Sequence, residues 1–432
     1  MAPGNDASIE LMPEAIFGLA VAVLAVTAVS GKVERTVVTI PMLVVGAGVV
    51  SGWLFDVELD LSRGAILFLE ITLALVLFSD ASRIDLASLR SEEAWPRRML
   101  GIGLPLAILL GGVLAGLVLG LDPGWALLLG VILAPTDAAL AEPVLTTGEL
   151  PQRIRQTLNV ESGLNDGLAL PALFVAIAII EAGEGITAGD VVGLFAVQLG
   201  LGVAFGIGFG LIGAWVVGQG LRSGWMSGSY QKIATLALAF ATFGATQWVG
   251  ASGFVATFVA GMVFSSRCRP MRKGLFEFAQ NEASALVLVA FLVLGAGPVR
   301  LILQDPPGWE IWMVALASLL MVRPVAVMVS MIGTGAMRPT RLFLGWFGPR
   351  GLATIVFLLT AIEETMDIPD SVTETVVLTI GLSVLLHGLT AYPASMALVH
   401  KLDAMHETEA DVMAEMVEVA ELPMRVARPP ES

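Results

Sequence analysis

The chain has 432 residues, of which 56% are apolar and 14% charged, with a formal net charge of −15 and a mean hydropathy of +0.84. Soluble domains carry about 25% charged residues, so a deficit of this size points to a surface that faces hydrocarbon. The acidic balance argues against a nucleic-acid partner, and the single cysteine, Cys268, excludes an intrachain disulfide.

Residues 1–12 hold no Lys or Arg, so no charged n-region and no cleavable signal peptide is expected. A membrane helix needs about 20 mostly apolar residues. Thirteen segments qualify: 13–31, 37–55, 64–80, 99–120, 124–145, 154–181, 188–217, 229–249, 252–266, 283–300, 309–333, 341–362 and 372–399. They are too long for barrel strands and lack period-2 alternation. The expected fold class is an all-α polytopic membrane protein of 13 transmembrane helices.

Orientation follows from the placement of Lys and Arg. Loops are numbered by the segment they follow. The odd loops carry Lys32 and Arg35, then Arg83, Arg90, Arg97 and Arg98, then Arg153 and Arg155, then Arg222 and Lys232, then Arg267, Arg269, Arg272 and Lys273, then Arg338 and Arg341. Even loops hold only Arg63 and Arg300 among basic residues, and are otherwise acidic: Asp56, Glu58 and Asp60, then Glu181, Glu184 and Asp190, then Glu363, Glu364, Asp367 and Asp370. Odd loops are therefore expected in the cytoplasm, with the N-terminus outside and the tail 401–432 inside. That tail reads as short, acidic and solvated, with a weak helix tendency over His406–Val419.

Ionisable residues inside spans are costly and point to function. In chain order they are Glu70, Asp137, Glu161, Asp166, Arg323 and Arg350, with His387 as a further candidate. Segment 5 carries Pro135 two residues before Asp137. Proline removes a backbone donor and clashes with the preceding turn, so the helix should break there and free carbonyls beside Asp137. Segment 6 reads Glu161-Ser162-Gly163-Leu164-Asn165-Asp166. Helical residues four apart share a face, so Ser162 and Asp166 form one stripe and Glu161 and Asn165 the next. The first stripe offers hard oxygen ligands for a small cation. The second joins a carboxylate to an amide brace and needs a cation, for which Arg323 in segment 11 is the natural partner. Segment 12 repeats the break in Phe347-Gly348-Pro349-Arg350-Gly351. Interrupted spans in corresponding halves point to a transport site. Segments 1–6 and 8–13 then form two six-helix repeats, inverted because segment 7 joins them. Glu70 joins the site or braces the break. A rival of another class is an intramembrane serine protease, with Ser252 of Gly250-Ala251-Ser252-Gly253 paired to His387.

Pro135-Thr136-Asp137, the Glu161–Asp166 stretch and Phe347-Gly348-Pro349-Arg350-Gly351 together resemble the cation/proton antiporter superfamily, in its NhaP-type branch, which includes the sodium/hydrogen exchangers. The similarity covers roughly residues 13–400. It implies a homodimeric antiporter with the sodium/proton antiporter fold, exchanging Na+, or Li+, for H+ without a cofactor; K+/H+ exchange is the alternative. A core over about 64–181 and 283–399 would move against a dimerisation scaffold over about 13–55 and 188–266. The resemblance assigns ion and proton binding to Asp166, Asp137, Ser162 and the Thr136 carbonyl, and a structural pair to Glu161 and Arg323, braced by Asn165 and Arg350. Ala138 departs from the proline that many relatives carry, and the long regulatory tail of the animal exchangers is not expected.

Overall fold

A computed structural model of the chain describes residues 13–33, 38–54, 63–83, 94–182, 188–268, 272–365, 367–406, 414–417 and 419. Arg35, Asp56, Glu58, Asp60, Arg90, Glu184 and Arg269, used in the charge reading above, lie outside these residues, as does most of the tail. Among the described residues every regular element is a helix. The helices are α1 (Pro13–Val33), α2 (Ile40–Leu54), α3 (Arg63–Arg83), α4 (Ala94–Leu119), α5 (Pro123–Ile132), α6 (Gln152–Ala182), α7 (Ala188–Arg222), α8 (Gly228–Trp248), α9 (Gly253–Arg267) and α10 (272–304). After them come α11 (Trp309–Ser330), α12 (Arg338–Trp346), α13 (Leu352–Glu364) and α14 (Asp370–His406).

Six described helices are long and apolar enough to cross a membrane by length and composition. Their outer faces fit that environment: Leu117 is 81% exposed and Trp215 69% exposed, a placement that water would penalise and lipid does not. The two segments expected to break, at Pro135 and at Gly348-Pro349, are broken. Segment 124–145 is helical to Ile132, irregular through the break and helical again over Glu142–Leu145, and segment 341–362 is the two helices α12 and α13.

Between lipid-facing helices no hydrophobic force favours contact, so close backbone approach does. On α7, Gly202, Gly206 and Gly210 form a stripe at four-residue spacing. A side chain on any of them would meet Val255, Val259 or Val263 of α9. Gly48 and Gly52 of α2 likewise lie against the Leu292 and Ala296 carbonyls of α10. Three helices widen by a single π-turn, at 99–103, 295–299 and 318–322. Pro105, Pro298 and Pro324 lie inside or just beyond these turns. The widening accommodates a ring that would otherwise strike the preceding turn.

Two expectations need correction. Arg300, placed in an even loop by the sequence, is buried inside α10. Its Nη1 donates to the Gly52 carbonyl at the C-terminal end of α2, at 2.5 Å, where a helix leaves its last carbonyls unpaired. The tail is also not wholly solvated. A short turn, Ala414–Met416, places Glu415 at 1% exposure. Its Oε1 accepts the Met337 N–H at the start of α12, at 2.8 Å. Arg153 at the start of α6 donates to the Ala414 carbonyl at 2.6 Å while its guanidinium lies 4.3 Å above the Trp95 ring. The turn thus ties α6 to α12. Glu415→Ala removes the acceptor for an N-terminal helix donor, and purified protein in detergent should unfold at lower temperature, by about 1–2 kcal/mol of stability. Glu415→Gln, which keeps an acceptor oxygen, should recover most of the loss in the same melting assay.

Candidate functional site at two crossed helix breaks

The unwound stretch after α5 and the one between α12 and α13 meet. The Asp137 N–H donates to the Pro349 carbonyl at 2.8 Å. Each break then supplies a charge to the other's helix end. Asp137 Oδ2 accepts the Leu352 N–H, the first of α13, at 3.0 Å, and Oδ1 accepts the Ala139 N–H at 2.8 Å. An anion at a helix N-terminus meets both unpaired donors and the positive end of the dipole. In return, Arg350 Nη1 donates to the Ala134 carbonyl at 2.8 Å and to the Pro135 carbonyl at 3.0 Å, beyond the C-terminal end of α5. A fully buried guanidinium therefore lies where a helix end is negative. Glycine makes the approach possible: a Cβ at Gly351 would run into the Asp137 carboxylate, and one at Gly348 into the Arg323 guanidinium.

On α6 the two stripes separate by task. Glu161 and Arg323 form a bidentate pair, Nη1 to Oε1 at 3.0 Å and Nη2 to Oε2 at 3.1 Å, with side chains 5% and 7% exposed. Thr136 joins it: its hydroxyl donates to Glu161 Oε2 at 3.2 Å and accepts from Asn165 Nδ2 at 2.5 Å. Asn165 also donates to Glu161 Oε1 at 3.3 Å. On the other stripe, the Ser162 hydroxyl donates to the Thr136 carbonyl at 2.7 Å. Asp166 is buried at 6% exposure, one turn further along that face. A buried carboxylate, a hydroxyl and a carbonyl freed by a helix break thus lie along one face of α6, hard oxygen chemistry suited to a small cation.

The structure brings together Asp137, Thr136, Glu161, Ser162, Asn165, Asp166, Arg323 and Arg350. Glu70 lies apart. It is on α3, and its electrostatic neighbours are Glu363 and Glu364, about 17 Å along α13 from Leu352. Ser252 accepts the Val255 N–H as the cap of α9, whereas both His387 ring nitrogens are engaged by Ser383 and Trp346, so the two form no dyad. Sequence reasoning missed Gly348 and Gly351 as packing requirements, and missed Ser383, whose hydroxyl accepts the Arg350 N–H at 2.7 Å. The glycines flanking Pro349-Arg350 were the available signal; Ser383 had none.

The family described as sodium/hydrogen exchanger, transmembrane, matches residues 19–397. A K(+)/H(+) antiporter NhaP2 of Shewanella oneidensis is 28% identical over 312 residues, covering 71% of this chain and 52% of its own. An uncharacterised Na(+)/H(+) exchanger of Mycobacterium bovis is 31% identical over 260 residues, covering 58% of this chain and 45% of its own. The chain spans about half the length of the curated relatives it matches. Among solved structures, the sodium proton antiporter MjNhaP1 from Methanocaldococcus jannaschii at pH 8 superposes with a TM-score of 0.71 at 20% identity, covering 89% of this chain and 98% of that one.

Glu161→Ala leaves the Arg323 guanidinium buried without its carboxylate, and should cost about 3–5 kcal/mol of stability. Adding Arg323→Ala removes the stranded charge and should recover part of that loss. Melting of the two single variants and the double variant in detergent gives the coupling directly; losses that simply add would show that the pair does not act as a unit.

Proposed function

The chain belongs to the sodium/hydrogen exchanger family, and on that premise we propose that it is a secondary antiporter exchanging Na+ for H+ across a membrane by alternating access. The observation that carries the reading is the crossing itself. Ser162, one turn from the buried Asp166, reaches the Thr136 carbonyl in the first break. Asp166 takes either the cation or the proton, and the Ser162 hydroxyl and Thr136 carbonyl complete the cation's oxygen shell. A bare carboxylate facing apolar surface is costly, whereas one neutralised by either ion is not. The core therefore moves only when loaded, which couples the two fluxes. The transported ions are the substrates; the work is transport, with no covalent step.

The other site residues hold the geometry. Glu161 and Arg323, with Asn165, lock Thr136 in place. Arg350 and Asp137 hold the breaks together, and Asp137 adds an oxygen near the ion. Asp137 caps α13 and Glu161 is paired with Arg323, which leaves Asp166 as the carboxylate that takes cation or proton and supports one proton per cation. Arginine at 323 cannot release a proton as a lysine could. Glu70, Glu363 and Glu364 form an acidic group that raises the local concentration of cations.

In this reading the core, about 64–181 and 283–399, moves against a scaffold, about 13–55 and 188–266, which also forms a homodimer. Thirteen crossings place the N-terminus outside and the C-terminus in the cytoplasm of a cell membrane, where exchange serves pH homeostasis. A second reading, K+/H+ exchange, is favoured by the names of the NhaP2 relatives. Purified protein in liposomes with an internal pH dye, given Na+, Li+ and K+ in turn, separates the two.

In that assay Asp166→Asn should abolish cation-driven proton flux while the protein stays folded; flux at the wild-type rate would remove Asp166 from the mechanism. Exchange should also be electroneutral. A potassium–valinomycin potential imposed at equal pH on both sides should drive no Na+ uptake beyond leak. Voltage-driven uptake would show a second proton in the cycle and place Asp137 in its path.

A further inference from the structure

His387 on α14 has no part in the mechanism above, yet it is 2% exposed and touches the first end of the second break directly and the second through Ser383. Its Nε2 lies 2.8 Å from the Trp346 carbonyl, the last residue of α12. Nδ1 lies 2.9 Å from the Ser383 carbonyl and 3.1 Å from Ser383 Oγ, and that same hydroxyl oxygen accepts the Arg350 N–H at 2.7 Å. The contacts form one chain, from the Arg350 N–H to Ser383 Oγ, from Ser383 to the His387 ring, and from the ring to the Trp346 carbonyl. The ring also stacks on the Trp346 indole, with centroids 4.8 Å apart and planes at 21°. The indole N–H in turn donates to Thr390 Oγ1 at 2.8 Å. Residues 383, 387 and 390 share one face of α14, so one helix holds the two ends of segment 347–350 at a set separation.

The separation matters because of what Arg350 can reach. Its Nη1 takes the Ala134 and Pro135 carbonyls. The next carbonyl, Thr136, is left to Ser162. Among the described residues Arg350 Nε and Nη2 have no hydrogen-bond partner. Buried donors without partners are costly, so a guanidinium free to slide along the break would gain by taking the Thr136 carbonyl.

We propose that Ser383 and His387 are positioning residues for ion binding: by clamping segment 347–350 from both ends they hold the Arg350 guanidinium off the Thr136 carbonyl and keep that oxygen for the transported cation. The inference rests on the antiport reading.

The test is cation-driven proton flux by the full chain in liposomes, with apparent KM and maximal rate measured for the transported cation, beside melting temperatures in detergent. His387→Phe keeps a ring against Trp346 and removes both hydrogen bonds. It should raise apparent KM about tenfold, the effect of roughly one lost hydrogen bond, with the maximal rate changed by less than about threefold. His387→Gln, which retains an N–H able to reach the Trp346 carbonyl, should return KM to within about threefold of wild type. Ser383→Ala should shift KM in the same direction, and the pair Ser383→Ala with His387→Phe should be no worse than His387→Phe alone, because both break one chain. A wild-type KM in His387→Phe overturns the proposal, and so does a lowered melting temperature in that variant with KM unchanged. Should His387→Phe fail to fold, Ser383→Ala decides: a wild-type KM there overturns the proposal and a raised KM supports it. Absence of any cation-driven flux in the wild-type protein overturns the antiport reading and this inference with it, whereas wild-type flux with unaltered variants overturns this inference alone.

Discussion

A backbone group released inside a membrane has no water to turn to, and must be met by protein. Two helices of this chain end in mid-bundle, and each would strand a row of carbonyls or N–H groups. The solution is reciprocal. Asp137, carried by the break that exposes carbonyls, serves the N–H end of α13, and Arg350, carried by the break that exposes N–H groups, serves the carbonyls beyond α5. Each break meets groups that the other strands, and the buried Glu161–Arg323 pair lies beside that exchange.

The same device recurs away from the site. Arg300 meets the Gly52 carbonyl near the end of α2, and Arg98 meets the Ser330 carbonyl at the end of α11, at 2.7 Å. Arginine suits the task because its charge is permanent and its planar fork presents several donors at once. In each case a helix terminus that would otherwise demand water is closed by a side chain from a helix distant in sequence. Helix ends so closed are fixed relative to one another, and rigidity of that kind is what an ion site built from backbone oxygen requires.

Around the crossing, burial and charge are balanced by pairs. Glu161 and Arg323 neutralise each other, and Thr136 uses both halves of its residue, the hydroxyl on the Glu161 side and the carbonyl on the Ser162 side. One threonine thereby links the structural pair to the oxygen offered to an ion. The division follows from α6 geometry: adjacent residues 161 and 162 differ by about 100° around the helix, so one faces the pair and the other faces the carbonyl.

Much of this was legible in the sequence because it is local or compositional. Hydropathy marks apolar runs; Pro135 and Gly348-Pro349 mark breaks; a four-residue period assigns Ser162 with Asp166 and Glu161 with Asn165 to stripes; a buried arginine demands an acid. Each follows from bonding rules that act within one helix. The sequence could not say that Asp137 would cap a helix 215 positions later in the chain, that Gly348 and Gly351 leave room for Arg323 and Asp137, that Arg300 would be buried against α2, or that Glu415 would leave water for the start of α12. Nor could it select Ser383 from the other serines of an apolar helix. Those are decisions of three-dimensional approach. They depend on which helix ends come within about 3 Å of which side chains, a distance that periodicity along one helix does not encode and that only the packing of all of them sets.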